Sequence, residues 1–253
     1  MPFRKEKFVN GGIYHLILRG IDNNLLFKNI DDHYRGIFCI YEFNHDKRVE
    51  IRDKRRARMK IKEEVKRVAQ KFEKEKARGQ RVSADLLTDP RDKLVEVLAF
   101  CLMPNHVHLL VRQLKNDGIT KFMRKLGAGY GRYFNKKYQR KGYVFQNRFK
   151  AVCIKNDEQL KIVLTYIHAN PASLIEPKWK EKGIRNLVKI IKFLENYKWS
   201  SYQDYIGKIN FLSVTEREFL LDTIGGHGKC KEFLEDYLKY KGKIKEFPEL
   251  TLE

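Results

Sequence analysis

The sequence predicts an α+β fold, an antiparallel sheet with helices on one face, from three observations. Apolar runs and amphipathic stretches alternate in the order strand, helix, strand, strand, helix, strand. The second and third strands are separated only by the turn signal Met103-Pro104-Asn105, as in a hairpin. A further helical stretch follows the last strand. The first six elements match the ferredoxin-like βαββαβ arrangement.

Each element has its own pattern. The strands are predicted at 12–19, 94–102, 106–113 and 148–154, and the helices at 31–44, 119–138 and 157–170. Asp31 is the expected N-cap of the first helix. Gly127 and Gly129 weaken the pattern of the second helix, and Pro171 ends the third.

A strongly charged stretch at 46–92 interrupts this order after the first helix. Its thin apolar stripe predicts a basic helical insertion, which is either a solvated helix or an arm that contacts DNA. Further helical segments are expected at about 185–197, 213–224 and 229–240. We therefore expect a core domain at 1–171, including the insertion, and a C-terminal helical extension at 172–253.

The composition is that of a basic globular protein. Hydrophobic residues make up 42% of the chain, which is enough to build a core, and the formal net charge is +21. Such a charge favours nucleic acid as a partner because neutralised phosphates release counterions, although a lysine-rich surface alone would also produce it.

The spacing of the cysteines and the length of the apolar segments argue against zinc-thiolate, secreted disulfide-bonded and membrane-spanning proteins. The cysteines stand far apart, without a CxxC pair, which argues against a thiolate zinc site and a secreted disulfide framework; they are Cys39, Cys101, Cys153 and Cys230. The sequence shows neither a signal peptide at its start nor an apolar run of ~20 residues. A cytoplasmic protein without a membrane partner is expected.

His106-Val107-His108 is the sharpest motif. In a strand, residues two apart project to the same face, so the two imidazoles stand together while Val107 points into the core. Neutral imidazoles are common ligands of divalent metals, although a histidine pair in a strand is often structural.

The predicted helix at 157–170 offers the groups that such a site lacks. Tyr166 and Asn170 are four residues apart and share a helical face. The amide oxygen of Asn170 can coordinate a hard cation, and the phenol of Tyr166 can serve as a nucleophile. His168 faces elsewhere and is a poorer ligand. Tyr166 could also be one of many core aromatics, and Asn170-Pro171 could be only a helix stop.

Several blocks of the sequence carry a family resemblance. They are 14–20 YHLILRG, 102–110 LMPNHVHLL, 133–135 YFN, 142–150 GYVFQNRFK, 166–171 YIHANP and 199–202 WSSY. With these blocks the chain resembles the REP-associated tyrosine transposases and related single-strand insertion-sequence transposases, which share a His-hydrophobe-His (HUH) motif. The charged insertion departs from the usual family pattern.

The resemblance implies a mechanism and its residues. His106, His108 and Asn170 would bind a divalent metal, Mg²⁺ or Mn²⁺, and Tyr166 would be the nucleophile that forms a 5′-phosphotyrosine with single-stranded DNA. Imperfect hairpin DNA is the implied substrate. Relatives include monomers and dimers that exchange the tyrosine helix, so a homodimer is one expected arrangement.

The DNA-binding candidates are Arg19, Arg124, Arg132, Asn147, Arg148 and Lys150. Arg148 and Lys150 are expected to alternate on the last strand and face the same side. Tyr143, Phe145 and Phe149 could stack on unpaired bases. The function predicted is a DNA-nicking and strand-transferring enzyme. The alternatives are a non-catalytic nucleic-acid-binding protein of the same fold and a nuclease in which water replaces Tyr166.

Overall fold

The computed structural model describes residues 7–47, 49, 91–146 and 148–240 of the chain. The strands are β1 Ile13–Arg19, β2 Val95–Met103, β3 His106–Gln113 and β4 Lys150–Cys153. The α-helices are α1 Ile30–Glu42, α2 Gly118–Lys137, α3 Asp157–Ala169, α4 Trp179–Lys182, α5 Leu187–Asn196, α6 Tyr202–Tyr205, α7 Glu218–Ile224 and α8 His227–Tyr240. Almost all of the predicted insertion at 46–92 lies outside the described residues.

The four strands form one antiparallel sheet in the order β2-β3-β1-β4. The hairpin strands β2 and β3 are neighbours, and β1 lies between β3 and β4. Helix α1 connects β1 to β2, and α2 connects β3 to β4. The predicted βαββαβ arrangement is therefore confirmed.

Different helices cover the two faces of this sheet. On one face, Leu102 and Val107 border a small cavity together with Gly36 of α1 and Leu126 of α2. The opposite face presents Leu110 to α3 and the C-terminal helices. The prediction that the helices all lie on one face of the sheet therefore holds for α1 and α2 but is wrong for α3. Helix α3 covers the other face because its apolar side also requires burial.

Close packing explains two glycines within helices. A Cβ atom on Gly129 of α2 would lie 2.0 Å from the ring of Phe43, so a larger residue would displace that ring. A Cβ atom on Gly36 of α1 would lie 2.7 Å from the ring of Phe27. Glycine disfavours a helix by its backbone entropy, but here it allows aromatic rings to approach the helix backbone.

Helix α1 begins after the N-cap Asn29, and the predicted N-cap Asp31 is wrong. The Asn29 side chain accepts a hydrogen bond from the backbone N–H of Asp32, whose carboxylate accepts one from the backbone N–H of Asn29. This capping box needs an acidic or amide side chain three residues after the cap. Asn29 has Asp32 there, whereas Asp31 has Tyr34.

Strand β4 is shorter than the predicted 148–154, and Arg148 precedes it. The pairing of β4 with β1 begins at Lys150, opposite Ile17. Before that point, the backbone N–H of Gln146 donates to the carbonyl of Arg19, which holds this segment as a loop. The predicted alternation of Arg148 and Lys150 on one strand is therefore wrong.

The WSSY block at 199–202 forms hydrogen bonds with edge strand β2 and so connects the C-terminal helices to the sheet. The carbonyl of Trp199 accepts a hydrogen bond from Leu102 N, and Ser201 N donates to the carbonyl of Phe100 on β2. The hydroxyl of Tyr205 donates to the carbonyl of Leu98, at 2.7 Å. This segment thus satisfies backbone groups that an edge strand would otherwise leave unpaired.

The chain separates into two compact units, Met1–Asn44 with Lys93–Glu253, and His45–Asp92. The first unit contains the sheet and every helix named above. The division into 1–171 and 172–253 stays a prediction. None of the described helices is long and apolar enough to cross a membrane.

Candidate active site

The histidine pair lies on the α3 face of strand β3. The rings of His106 and His108 have centroids 4.7 Å apart, whereas Val107 is buried on the opposite face. His108 is fully buried, and His106 is 7% exposed at the start of the strand. The side-by-side placement follows from the two-residue repeat of a strand, as predicted.

Helix α3 brings Tyr166 and Asn170 to this pair. The amide nitrogen of Asn170 lies 3.3 Å from Nε2 of His108, and the rings of Tyr166 and His108 have centroids 5.7 Å apart. Asn170 follows the last turn of α3 and begins the 3-10 helix Asn170–Leu174, whose second residue is Pro171. The structure therefore gathers the predicted nucleophile and the predicted ligands around one buried imidazole.

A third histidine supports His108 from strand β1. Nε2 of His15 lies 3.0 Å from Nδ1 of His108. A hydrogen on His108 Nδ1 would bond to His15 and leave the lone pair of His108 Nε2 facing Asn170; this tautomer agrees with both contacts. A ligand histidine is usually oriented in this way by a partner on its other nitrogen.

Electrostatics keep His108 neutral. Burial holds the pKa of His108 well below its usual value, and the cations Lys180 and Arg19 act in the same direction, as would any positive charge on His106 or His15. A neutral imidazole retains the lone pair that a metal requires.

His106 is oriented by its neighbour in the turn. Nδ1 of His106 lies 2.6 Å from Oδ1 of Asn105, an acceptor, so Nδ1 carries the hydrogen. This bond orients the ring so that Nε2 points away from the turn. Asn105 thus has a role beyond the turn signal for which the sequence marked it.

Lys180 of helix α4 completes the cluster. Its ammonium lies 3.4 Å from the hydroxyl oxygen of Tyr166 and 3.3 Å from Oδ1 of Asn170. It also stands 4.7 Å from the centre of the Tyr166 ring. A cation is therefore held directly beside the predicted nucleophile.

His168 lies elsewhere, as predicted. Its Nε2 is 2.9 Å from the hydroxyl of Ser201, and burial lowers its pKa to about 3. It is a neutral core histidine that links α3 to the WSSY segment.

The donor set around His108 fits a divalent metal. Among the described residues, no group of three or more His, Cys, Asp or Glu side chains could hold a metal ion, so the amide of Asn170 would be needed. In the structure the amide nitrogen of Asn170 faces His108 Nε2 and Oδ1 faces Lys180, so coordination by Oδ1 would require this side chain to rotate. Two imidazoles and an amide oxygen suit a cation that accepts mixed nitrogen and oxygen ligands.

Three of the predicted DNA-binding arginines line one groove of about 810 Å³ beside α2. They are Arg124, Arg132 and Arg148, and all three are exposed. Small residues of α2 contribute to the same groove, namely Gly127, Ala128 and Gly131. The glycine that weakened the helix pattern thus leaves room beside the helix.

Aromatic side chains border this groove. Tyr143 is 85% exposed, while Phe145 and Phe149 are partly buried. Phe145 packs near Tyr130, and Phe149 stacks on Phe8, so these two rings also have structural contacts. Tyr143 is the ring most available for stacking.

Two other DNA-binding candidates, Arg19 and Lys150, lie away from the groove. The register places Arg19 opposite His106 and Lys150 opposite Ile17, on the histidine face of the sheet. Asn147 falls outside the described residues. The hydrogen bond from Gln146 N to Arg19 O connects the groove loop to the strand end beside His106.

Sequence reasoning missed three residues of the site: His15, Asn105 and Lys180. The alternation of β1 places His15 and Arg19 on one face, but only the strand register shows that this is the face of His108. Lys180 stands on a helix of 4 residues that has no periodicity to detect.

Comparisons with known proteins agree with the motifs. A family model described as "Transposase IS200 like" matches residues 90–170. A "Putative REP-associated tyrosine transposase" of Haemophilus influenzae is 36% identical over 88 residues, covering 30% of this chain and 49% of that protein. The chain thus spans about half the length of this curated relative.

Among solved structures, one described as a REP-associated tyrosine transposase bound to a REP hairpin has 13% identity and a TM-score of 0.45. The alignment covers 83% of this chain and 90% of that one. These matches agree with the resemblance seen in the motifs: residues 90–170 are similar to the IS200-like transposases, and a stretch of 88 residues is similar to a REP-associated tyrosine transposase.

Proposed function

We propose that this protein is a metal-dependent endonuclease and strand transferase that acts on hairpin-bearing single-stranded DNA through a 5′-phosphotyrosine at Tyr166. One observation carries the proposal: Tyr166, Asn170 and His108 meet in a single buried cluster, with His106 beside it. Residues distant in sequence would not be expected to form this combination for packing alone, because burying polar groups is costly.

The covalent step uses the phenol of Tyr166. Its oxygen forms a bond to the phosphorus of a DNA phosphodiester as the bond to the 3′ oxygen breaks. The phenol releases its proton to water and the departing 3′ oxygen takes one up. The products are a 5′-phosphotyrosine and a free 3′-hydroxyl, and a 3′-hydroxyl can reverse the step to join strands without ATP.

The surrounding residues prepare the site. His106, His108 and Asn170 would hold the metal, Mg²⁺ or Mn²⁺, which when bound supplies Lewis-acid stabilisation of phosphate charge. His15 and Asn105 orient the two ligand imidazoles through their second nitrogens. Arg19 adds positive charge beside them.

All of these groups belong to one chain, so the proposed site does not need a tyrosine from a second copy. The rings of Tyr166 and His15 are 5.8 Å apart, which places the nucleophile against both sheet histidines of its own chain. This geometry supports cleavage in cis, and a homodimer would join two complete sites.

The groove supports an unpaired nucleic-acid substrate. Three exposed arginines can follow a phosphate backbone, and Tyr143 offers a face for a base. The similarity to a REP-associated tyrosine transposase makes hairpin-bearing DNA the first substrate to test.

Covalent trapping tests the proposal. Labelled single-stranded hairpin DNA is mixed with the protein, with and without Mg²⁺ or Mn²⁺, and separated on a denaturing gel beside Tyr166→Phe. We expect a metal-dependent shifted band that Tyr166→Phe lacks. Tyr205→Phe is a control, since its hydroxyl only donates to a backbone carbonyl.

Other outcomes favour the alternatives. Metal-dependent cleavage without a shifted band would indicate water as the nucleophile. Binding without cleavage, across a varied set of hairpins, would indicate a non-catalytic DNA-binding protein.

A further inference from the structure

Arg19 ends strand β1 beside the histidine pair. The antiparallel pairing with β3 sets Arg19 directly opposite His106, so both side chains project from the same face of the sheet. Directly opposed residues in such a pair have Cβ atoms about 4.5–5.5 Å apart. The guanidinium also acts on His108 as a positive charge, so it stands within electrostatic reach of both histidines.

Backbone hydrogen bonds hold this strand end in place. The carbonyl of Arg19 accepts from the N–H of Gln146, and the N–H of Gly20 donates to the carbonyl of Asn105, both at 2.8 Å. A Cβ atom on Gly20 would lie 2.4 Å from the carbonyl oxygen of Asn24, so the chain turns closely after the strand. The partly buried guanidinium of Arg19 therefore extends from a fixed backbone.

A second arginine, at the other end of the β1–β3 pair, shows how the fold neutralises a cation. Arg112 lies opposite Ile13 and forms an ion pair with Glu96 at 2.8 Å. Arg19 has neither an ion pair nor a side-chain hydrogen bond among the residues that the structure describes. Within that part of the chain, the charge of Arg112 is compensated and that of Arg19 is not.

The sequence around the histidines supplies no carboxylate for Arg19. The segments that form this part of the sheet and the helix over it contain neither Asp nor Glu; they are 13–21, 97–113, 148–154 and 159–175. Partial burial of a cation without a carboxylate is unfavourable, because some of its hydration is lost. The planar set of N–H donors in a guanidinium fits two oxygens of one phosphate. An anion that enters the site is therefore expected at Arg19.

We propose that Arg19 is a catalytic residue whose guanidinium donates hydrogen bonds to the two non-bridging oxygens of the scissile phosphate; this rests on the proposed function. The ring of Tyr166 lies 5.7 Å from that of His108, and Arg19 lies opposite the neighbouring His106. A phosphate bound over the histidine pair therefore reaches both the phenol and the guanidinium. The guanidinium transfers no proton, so the bonds that form and break are those of the Tyr166 step.

Arg19 and the groove arginines should differ in their kinetic effects. Arginines in the groove would contact flanking phosphates and so change DNA affinity. A preorganised cation at the reacting phosphate meets charge that develops in the transition state, so it accelerates the chemical step more than it tightens binding. We expect Arg19→Met to slow covalent adduct formation about 100-fold, with less than about a threefold change in DNA affinity. Arg19→Lys keeps the charge without the planar donors and should lie between.

The experiment measures single-turnover adduct formation on labelled hairpin DNA at saturating protein, together with the DNA affinity and melting temperature of each variant. Calorimetric titration of the DNA-free proteins with Mn²⁺ adds a readout that does not depend on activity. Arg185→Met is the matched control, since Arg185 is an exposed arginine outside the histidine cluster. We expect Arg19→Met to lower neither the melting temperature nor the Mn²⁺ affinity. Guanidinium ion, at concentrations that leave the melting temperature unchanged, should partly restore the rate of Arg19→Ala.

The outcomes separate the two proposals. An adduct rate in Arg19→Met equal to that of the unmodified protein overturns the role of Arg19 and leaves that of Tyr166 standing. A slow rate with weaker Mn²⁺ affinity, restored by excess Mn²⁺, would assign Arg19 to the support of His106 and overturn it too. So would a loss that follows DNA affinity or melting temperature without rescue by guanidinium. Absence of any adduct in the unmodified protein, on every hairpin and metal tried, overturns both proposals.

Discussion

Asp32 and His108 are both fully buried polar side chains, but their surroundings have opposite character. The Asp32 carboxylate accepts hydrogen bonds from Lys137, Tyr138 and Tyr133 at 2.6 to 2.9 Å, so its charge is compensated by short bonds. The contacts around His108 are imidazole and amide, at 3.0 and 3.3 Å.

The difference shows how one fold uses burial for two purposes. The buried charge of Asp32 is compensated by hydrogen bonds from Lys137 and Tyr133, and these bonds connect α1 to α2. This charge therefore has a structural role. At His108 burial removes charge from a potential ligand and leaves it beside a phenol, an amide and a lysine. The compensated charge at Asp32 stabilises the fold, whereas the uncharged imidazole of His108 keeps a lone pair that the proposed metal would use.

Replacing His108 should give the largest effect on chemistry. We expect His108→Ala to slow covalent adduct formation by at least ~100-fold, since even outer-shell partners of a metal cost ~10–100-fold when removed. Single-turnover rates on hairpin DNA measure it. His168→Ala removes another buried imidazole, so equal rates in the two variants would contradict the account.

Replacing Asp32 should affect stability and leave the chemistry intact. Asp32→Asn is expected to lower the free energy of unfolding by about 3 kcal/mol, because it leaves partners of a buried charge without compensation. Urea unfolding measures this. Asp31→Asn is the matched control, since the Asp31 side chain is 78% exposed and lies 3.9 Å from Lys137. A similar loss in both variants would show that burial of Asp32 does not matter.

The pH dependence of stability should identify the charge of Asp32. Burial raises its pKa, but the hydrogen bonds from Lys137, Tyr138 and Tyr133 together outweigh this and hold the pKa below the ordinary 3.8. A lowered folded pKa gives stability that is fully present above the unfolded value and is lost as pH falls through the folded value.

The stability difference between the unmodified protein and Asp32→Asn should therefore be constant near neutral pH and shrink below about pH 4, by at most ~1.4 kcal/mol per pH unit. Urea unfolding at several pH values measures it. A difference that shrank between pH 6 and 8 would assign the effect to another group.

The smallest expected effect is in the groove. Arg148→Ala should weaken binding of single-stranded DNA and reduce the slope of log affinity against log salt by about 0.7, one phosphate contact. Titration at several salt concentrations measures this slope. Lys189→Ala, which removes an exposed cation on α5, should leave it unchanged. An unchanged slope in Arg148→Ala would show that Arg148 does not contact a DNA phosphate.

Local periodicity was sufficient to predict much of the fold and the candidate site. The two-residue repeat of β3 places His106 beside His108, and the spacing of four residues, about one helical turn, places Tyr166 beside Asn170 at the end of α3. Apolar patterning likewise gave the order of the sheet elements.

The rest depends on contacts between distant parts of the chain. The role of His15 depends on the register between β1 and β3, and that of Lys180 on where the short helix α4 docks. Alternation of apolar and polar residues continues through Arg148 and so predicts a strand there, whereas pairing with β1 starts only at Lys150. Neither register nor docking is encoded in a local repeat.

The identity of the residue that bears the DNA tests the central claim most directly. The trapped adduct would be digested with nuclease and protease, and the modified peptide located by tandem mass spectrometry. The account predicts a nucleotide attached to Tyr166 through its 5′ phosphate. This adduct should form only when the metal is present. Attachment to another residue, such as the exposed Tyr143, would contradict it.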